Sequence, residues 1–340
     1  MKMWSTVVGV RPQPTTARVV MRHRNLLLGA AWVTSAVGGS IAMAAHVAEQ
    51  SSSASQSSVS KVVLLGTGTP AATPDRSGPA TAIVVNDTAY LVDFGPGVVR
   101  RASAAATSRG IAALQPTRLR LAFVTHLHSD HTVGYADLIF SPWTLGRREA
   151  LDVYGPRGLK EMTTHLIEAY RVDIETRTNT DGNQRTFPDG YKVNAHEIGA
   201  GVVYKDTNVT VTAFATRHAM ESYGYRFDTP DRSIVISGDT NPTQATIDAC
   251  RGCDVLIHEV HTSAWLAARP EAGGAPPGTF RRFSEKYHTT AEQLGELAQR
   301  AKPRLLILYH YNSLSPEELQ AEMMKHYAGH FVIGRDLEVY

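Results

Sequence analysis

From residue 61 onward, short apolar runs recur between polar breaks. Residues 62–65, 80–85, 89–92, 121–124, 151–154, 209–213, 233–236, 255–257 and 305–308 are short and rich in aliphatic residues. That pattern predicts strands. Asn86-Asp87 separates the second run from the third, as a hairpin turn would. Apolar positions three and four apart predict helices over 98–107, 132–140, 159–171, 243–249, 290–301 and 316–326. In the fifth of these, Ala291, Leu294, Leu297, Ala298 and Ala301 share one face, and Pro303 ends it. Strands interleaved with helices predict a layered α/β domain. Two polar stretches, 176–190 and 269–286, are expected to be long loops: functional lids or tolerated surface insertions.

The first 60 residues follow a different pattern. Lys2, Arg11, Arg18, Arg22 and Arg24 are basic, and no acidic residue precedes Glu49. An uncharged stretch then runs from Asn25 to Ala48 and contains Ala42-Met43-Ala44, a small-x-small cleavage pattern. Residues 1–48 therefore read as a secretory leader, with a membrane anchor or a transit peptide as alternatives. The expected location is periplasmic or secreted. Residues 49–60 are Ser-rich and read as a linker, which leaves 61–340 as the functional domain. Setting aside the five leader bases from the 34 in the chain leaves 29 basic residues against 32 acidic ones. That mildly acidic balance argues against a nucleic-acid partner. Cys250 and Cys253 form a C-x-x-C without the strand-then-helix context of a redox motif. They read as a structural pair, bridged or as two buried thiols.

The candidate chemistry is concentrated in Thr125-His126-Leu127-His128-Ser129-Asp130-His131, directly after an apolar run. Imidazole and carboxylate donors in that spacing suit Zn²⁺ and, less exclusively, Fe or Mn. Other runs end in more ligand-type residues: His218 after 209–213, Asp239 after 233–236, and His310 after 305–308. Groups at several strand ends converge on one edge of a sheet.

This ordered set resembles the metallo-β-lactamase-fold hydrolases, in the branch of ribonuclease Z and the zinc-dependent arylsulfatases. Supporting matches are Leu65-Gly66-Thr67-Gly68-Thr69-Pro70, Asp93-Phe94-Gly95-Pro96-Gly97, Tyr223-Gly224-Tyr225-Arg226, His258-Glu259 and His288-Thr289-Thr290. The resemblance implies a four-layer αββα fold, with two β-sheets between helices. It implies two Zn²⁺ per chain. His126, His128 and His218 would hold one ion, Asp130, His131 and His310 the other, with Asp239 bridging. A hydroxide shared by the ions would be the nucleophile. Asp130, Glu259 and His288 are the implied catalytic residues, the last two for proton delivery. The local His258-Glu259-Val260-His261 departs from the family's His-Glu-Ala-Thr, which leaves a carboxylate bonding a metal-bound imidazole as the other reading of Glu259. Asp93 either orients the floor of the site or caps a turn.

Substrate expectations rest on what is missing. By the resemblance, ribonuclease Z enzymes carry a long tRNA-gripping arm between the Gly-Tyr-Arg and Ser-Gly-Asp motifs; here only a few residues separate Tyr225-Arg226 from Ser233, so the arm is expected to be missing. The expectation is therefore an exported hydrolase of sulfate-ester or phosphodiester bonds in small molecules. Arg281 or Arg282 would help receive the anion. A lactonase or carboxylic-ester hydrolase is the alternative, and a tRNA 3′-processing nuclease ranks below both. A flavin-partnered di-iron protein is disfavoured, because such members have Glu where this chain has His128. The expected partners are a small anionic or ester substrate and, by resemblance, a second copy in a homodimer. No nucleic acid and no other protein are expected.

Overall fold

In the computed structural model, which describes residues 60–179, 187–269 and 275–340, alternation along β1 (Lys61–Gly66) sets the layers. Val62 and Leu64 pack between two sheets, while Val63 and Leu65 pack outward beneath helices. The predicted leader and most of the linker lie outside the described residues. Among the described residues, no helix is long and apolar enough to cross a membrane.

The first sheet has six strands in the order β1, β2 (Ala80–Val85), β3 (Thr88–Val92), β4 (Leu121–Phe123), β5 (Leu151–Gly155) and β6 (Val193–Glu197). The second has seven, running from β7 (Gly201–Lys205) through β8 (Thr210–Ala215), β9 (Tyr223–Asp228), β10 (Ser233–Ile236), β11 (Val255–His261) and β12 (Leu305–Asn312) to β13 (Phe331–Ile333). Helices α1 (Val98–Ser108), α2 (Ser129–Thr132), α3 (Tyr135–Thr144), α4 (Leu159–Ala169) and α5 (Arg171–Thr178) accompany the first sheet. Helices α6 (Gln244–Cys250), α7 (Ser263–Ala268), α8 (Thr279–Tyr287), α9 (Ala291–Ala301) and α10 (Pro316–His326) accompany the second. Trp143, Leu138 and Val98 cover the outer face of the first sheet, and Leu294, Leu297 and Met323 cover that of the second.

Between the sheets, Phe123 touches Tyr154, Tyr204, Tyr225 and Phe227 with ring centroids 5.2, 5.9, 5.5 and 5.5 Å away. Such ring pairs add about 0.5–1.5 kcal/mol each beyond area burial. Asp206, after β7, ties the sheets further. Tyr90 of β3 donates to it at 2.6 Å and Tyr204 of β7 at 3.0 Å.

The predicted strands form, and four more appear. β6 and β7 carry polar residues and are largely unburied, β9 contains Gly224, and β13 has three residues. None of these gave a clear apolar run. The predicted helix over 132–140 divides at Gly134, whose Cα lies so close to Gly95 that a Cβ would sit 2.4 Å from its carbonyl. The helix over 159–171 divides at Tyr170. Of the expected loop at 176–190, residues 180–186 lie outside the described residues. Of the expected loop at 269–286, residues 270–274 lie outside the described residues and 279–286 belong to α8, where Phe280, Phe283 and Tyr287 form a helical stripe after a Gly- and Pro-rich stretch. Cys250 and Cys253 form a disulfide between α6 and β11. The turn between β9 and β10 is tight, and the two longest connections are residues 156–192, between β5 and β6, and residues 262–304, between β11 and β12.

Candidate metal centre

The ligand-type residues gather at the carboxyl ends of β4, β8, β10 and β12. Two backbone devices bring them together. Gly238, at φ +61°, turns the chain after β10 so tightly that a Cβ would lie 2.7 Å from that of Thr125. Asp93, at φ +62°, ends β3 with its carboxylate buried beneath the site. It accepts hydrogen bonds from the Thr125 amide at 2.8 Å and the Thr125 hydroxyl at 3.0 Å, and contacts His131 Nδ1 at 2.8 Å.

Four of the five imidazoles have Nδ1 engaged by the scaffold and Nε2 turned inward; His128 instead turns Nδ1 inward. His131 Nδ1 meets Asp93, and His310 Nδ1 donates to the Gly68 carbonyl at 2.6 Å. His218 Nδ1 faces the Tyr287 carbonyl at 3.2 Å, and His126 Nδ1 faces the Thr125 hydroxyl at 3.0 Å. Such partners fix the ring orientation and leave Nε2 free for a cation. On the inner side, His126 Nε2 and His218 Nε2 both lie 3.0 Å from His128 Nδ1. His131 Nε2 and His310 Nε2 lie 3.3 and 3.2 Å from Asp239 Oδ1. They lie 3.7 and 3.6 Å from Asp130 Oδ2. One grouping holds His126, His128, His218 and Asp239, and another holds Asp130, His131 and His310. Within each, one donor atom per residue lies within 4.8 Å of the others.

A cation fits these groups on two grounds. Asp130 Oδ2, His131 Nε2 and Asp239 Oδ1 are buried and have no hydrogen-bond partner, a costly state that a bound cation relieves. Burial holds His126 and His128 below the ordinary imidazole pKa, and His218 at about 4, so these rings are neutral donors. His131 and His310 are raised despite burial, because the Asp239 carboxylate sits beside them.

Glu259 of β11 lies behind the site. Its carboxylate accepts from the Thr240 amide at 2.7 Å, and both its oxygens lie 3.0 Å from His288 Nδ1. Burial alone would lower the His288 pKa, but the Glu259 charge and hydrogen bond outweigh it and raise it to about 9. His288 thus holds a proton at the edge of the site. Asp239, Glu259 and His288 also form a third group with donor atoms in metal-binding range. His258 points elsewhere, with Nδ1 2.7 Å from the Glu259 carbonyl.

A cleft of about 240 Å³ opens onto these groups, lined by His128, Asp130, Asp239, His288 and His310. Sequence reasoning missed its far wall: His261, Trp265, Arg269, Phe280, Phe283 and Ser284. The helical stripe of α8 was the available signal. Arg281 and Arg282, expected to meet the substrate, are exposed on α8 and do not line the cleft.

Residues 88–311 match the family model described as beta-lactamase superfamily domain. A "Ribonuclease Z" of Mycobacterium sp. (strain KMS) is 34% identical over 74% of this chain and 84% of its own length. A "Ribonuclease Z" of Mycobacterium bovis (strain BCG / Pasteur 1173P2) is 30% identical over 82% of this chain and 96% of its own. Among solved structures, human tRNase Z, short form, superposes with a TM-score of 0.59 at 20% identity, covering 82% of this chain and 98% of that one. The metallo-beta-lactamase fold protein YhfI from Bacillus subtilis gives 0.60 at 18% identity, covering 83% and 99%. These last two likenesses speak to the fold.

The ribonuclease relatives overturn the expectation of a sulfatase-like or lactonase-like enzyme for small molecules, and the expected absence of a nucleic-acid partner conflicts with them. A short β9–β10 turn and a net charge near zero were insufficient grounds for either. With the ordered His and Asp cluster at the sheet ends and ribonuclease Z relatives covering most of its length, this chain belongs to the metallo-β-lactamase-fold hydrolases, in the ribonuclease Z family.

Proposed function

We propose that the chain is a metal-dependent ribonuclease that hydrolyses phosphodiester bonds, with 3′-extended tRNA precursors as its substrate class. The observation that carries this reading is the meeting of seven inward-facing His and Asp side chains with the proton-holding Glu259–His288 pair. Relatives named ribonuclease Z, 30–34% identical, support RNA as the substrate.

His126, His128 and His218 would hold one divalent cation and Asp130, His131 and His310 a second, with Asp239 between them. Zinc suits this nitrogen-rich donor set. When bound, the pair supplies Lewis acidity and a water of lowered pKa. The chain's own residues do the rest. Asp93, Gly68 and Tyr287 orient the imidazoles from behind. His288, held by Glu259, delivers a proton to the departing ribose oxygen, and Glu259 stabilises the charged ring before transfer. The cleft admits a strand end, with phosphate against the metal groups and the neighbouring nucleoside against the wall.

The test supplies purified protein, stripped and then reloaded with zinc, with a 3′-extended tRNA transcript. Metal-dependent endonucleolytic cleavage near the 3′ end is expected. Full metal occupancy with intact RNA would sink the reading.

A further inference from the structure

The cleft wall consists of two polar rungs between β11 and α8. Glu259 and His261 lie two apart on a strand and share a face. Ser284 and His288 lie four apart, along and at the end of a helix, and stack in the same direction. The first rung is Glu259–His288. The second joins His261 Nε2 to Ser284 Oγ at 3.0 Å, and proton delivery makes no use of it.

The second rung has a defined polarity. His261 Nδ1 faces the Thr262 carbonyl at 3.4 Å, so that nitrogen carries the ring proton. Nε2 is then the acceptor, and the Ser284 hydroxyl donates to it. The Ser284 oxygen keeps its acceptor lone pairs, and both residues line the cleft that contains Asp239 and His288. A ligand hydroxyl can donate to that oxygen, while a bare phosphate oxygen cannot.

Beside this rung stand three half-buried rings that also line the cleft. Trp265 lies 6.1 Å from His261 and 5.9 Å from Phe280, edge to face with the latter, and Phe283 lies 5.7 Å from His288. The Arg269 guanidinium lies over Phe280 at 4.3 Å and Trp265 at 5.1 Å. A hydroxyl-accepting pair between a cation site and aromatic faces suits a ligand that presents phosphate, hydroxyl and flat ring in that order.

We infer that this wall is a ribonucleoside subsite: the His261–Ser284 pair takes a ribose hydroxyl of a nucleotide flanking the scissile phosphate, and the Trp265, Phe280 and Phe283 rings take its base. The inference rests on the RNA reading above. It adds that the site distinguishes ribose from deoxyribose through a residue pair that touches neither metal groups nor leaving oxygen.

The test measures kcat/KM on a 3′-extended tRNA precursor, on versions with one 2′-deoxy or one abasic residue at either position flanking the scissile phosphate, and on bis-aryl phosphate. Wild type, Ser284→Ala, Trp265→Ala and Trp265→Phe are compared, with metal content and melting temperature confirming the fold. In wild type, a 2′-deoxy residue at one flanking position should cost about three- to tenfold. Ser284→Ala should lose a similar factor on all-ribose RNA and show no further deoxy penalty. Trp265→Ala should lose about five- to hundredfold on normal RNA and little on the abasic version, with Phe restoring most of it. If Ser284→Ala does not fold, the Trp265 comparison carries the test alone. RNA cleavage with a deoxy penalty that persists in Ser284→Ala, and no Trp265 effect, overturns the subsite alone. Hydrolysis of bis-aryl phosphate with no cleavage of any RNA overturns the RNA reading and the subsite with it.

Discussion

Asp93→Asn replaces one carboxylate oxygen by an amide and leaves the side-chain shape unchanged. Asn also tolerates the left-handed backbone at this position, so strain is not introduced. The buried Asp93 carboxylate accepts from Thr125 on one oxygen and meets His131 Nδ1 on the other. An amide cannot accept on both sides. If its NH₂ faces His131, the ring must carry its proton on Nε2, the atom turned toward Asp130 and Asp239. If the amide is flipped, the Thr125 N–H meets a second donor. The first arrangement blocks ligation, and the second leaves a buried donor unsatisfied at about 1–3 kcal/mol. Removing such a partner behind a ligating histidine costs about 10–100-fold in metal affinity, or about 1.4–2.7 kcal/mol. The assay is competitive titration against a chromophoric chelator, with elemental analysis of the dialysed protein. One of two cation affinities should fall by that factor while the group around His126, His128 and His218 keeps its own. Two unchanged affinities would refute the orienting role of Asp93.

Three further predictions follow from separate parts of the molecule. His288→Ala should lower kcat by about 10²–10⁴-fold without changing metal content, and Glu259→Gln should lower it in the same direction, whereas undiminished turnover rules out proton delivery from this pair. Gly238→Ala forces a Cβ to 2.7 Å from that of Thr125 at φ +61°, so its denaturation midpoint should fall by the equivalent of about 1–3 kcal/mol or more, and an unchanged midpoint contradicts the close approach. Burial would raise the Asp206 pKa, but hydrogen bonds from Tyr90, Val209, Asn208 and Tyr204 hold it below the usual carboxylate range. With the folded pKa below the unfolded one, its contribution is complete above the unfolded value of about 3.9 and is lost as pH falls through the folded value. Asp206→Asn should therefore cost about 1–3 kcal/mol at pH 7 in urea unfolding, and the gap should narrow in acid below pH ~4. A gap that stays constant to pH 2.5 counts against the cross-sheet link.

The metal groups were legible in the sequence because they are compressed. His126 to His131 fall within one turn after β4, and Asp239 and His310 each follow or end a clear apolar run. Strand ends are where the sheets project side chains to a common edge, so order along the chain translated into proximity. The far wall was not legible. Its His261–Ser284 contact depends on the register of α8 against β11, and Gly and Pro around residue 278 masked that helix. Edge strands β6, β7 and β13 escaped for the opposite reason: their residues are too exposed or too few to form an apolar run. Function was misread from two global features. The β9–β10 turn is indeed short, but long connections lie elsewhere, between β5 and β6 and between β11 and β12. Net charge also says little about a phosphate ligand when a local cation site sets the field it meets.

The most direct measurement compares wild type and Asp239→Ala, each dialysed against zinc, for metal content and for cleavage of a 3′-extended tRNA transcript. The wild type should hold two equivalents and cut the transcript endonucleolytically, and the variant should lose metal and all cutting. A variant that keeps both its metal and its cleavage rate, or a fully loaded wild type that leaves the transcript intact, would contradict the assignment of this site as the centre of a metal-dependent ribonuclease.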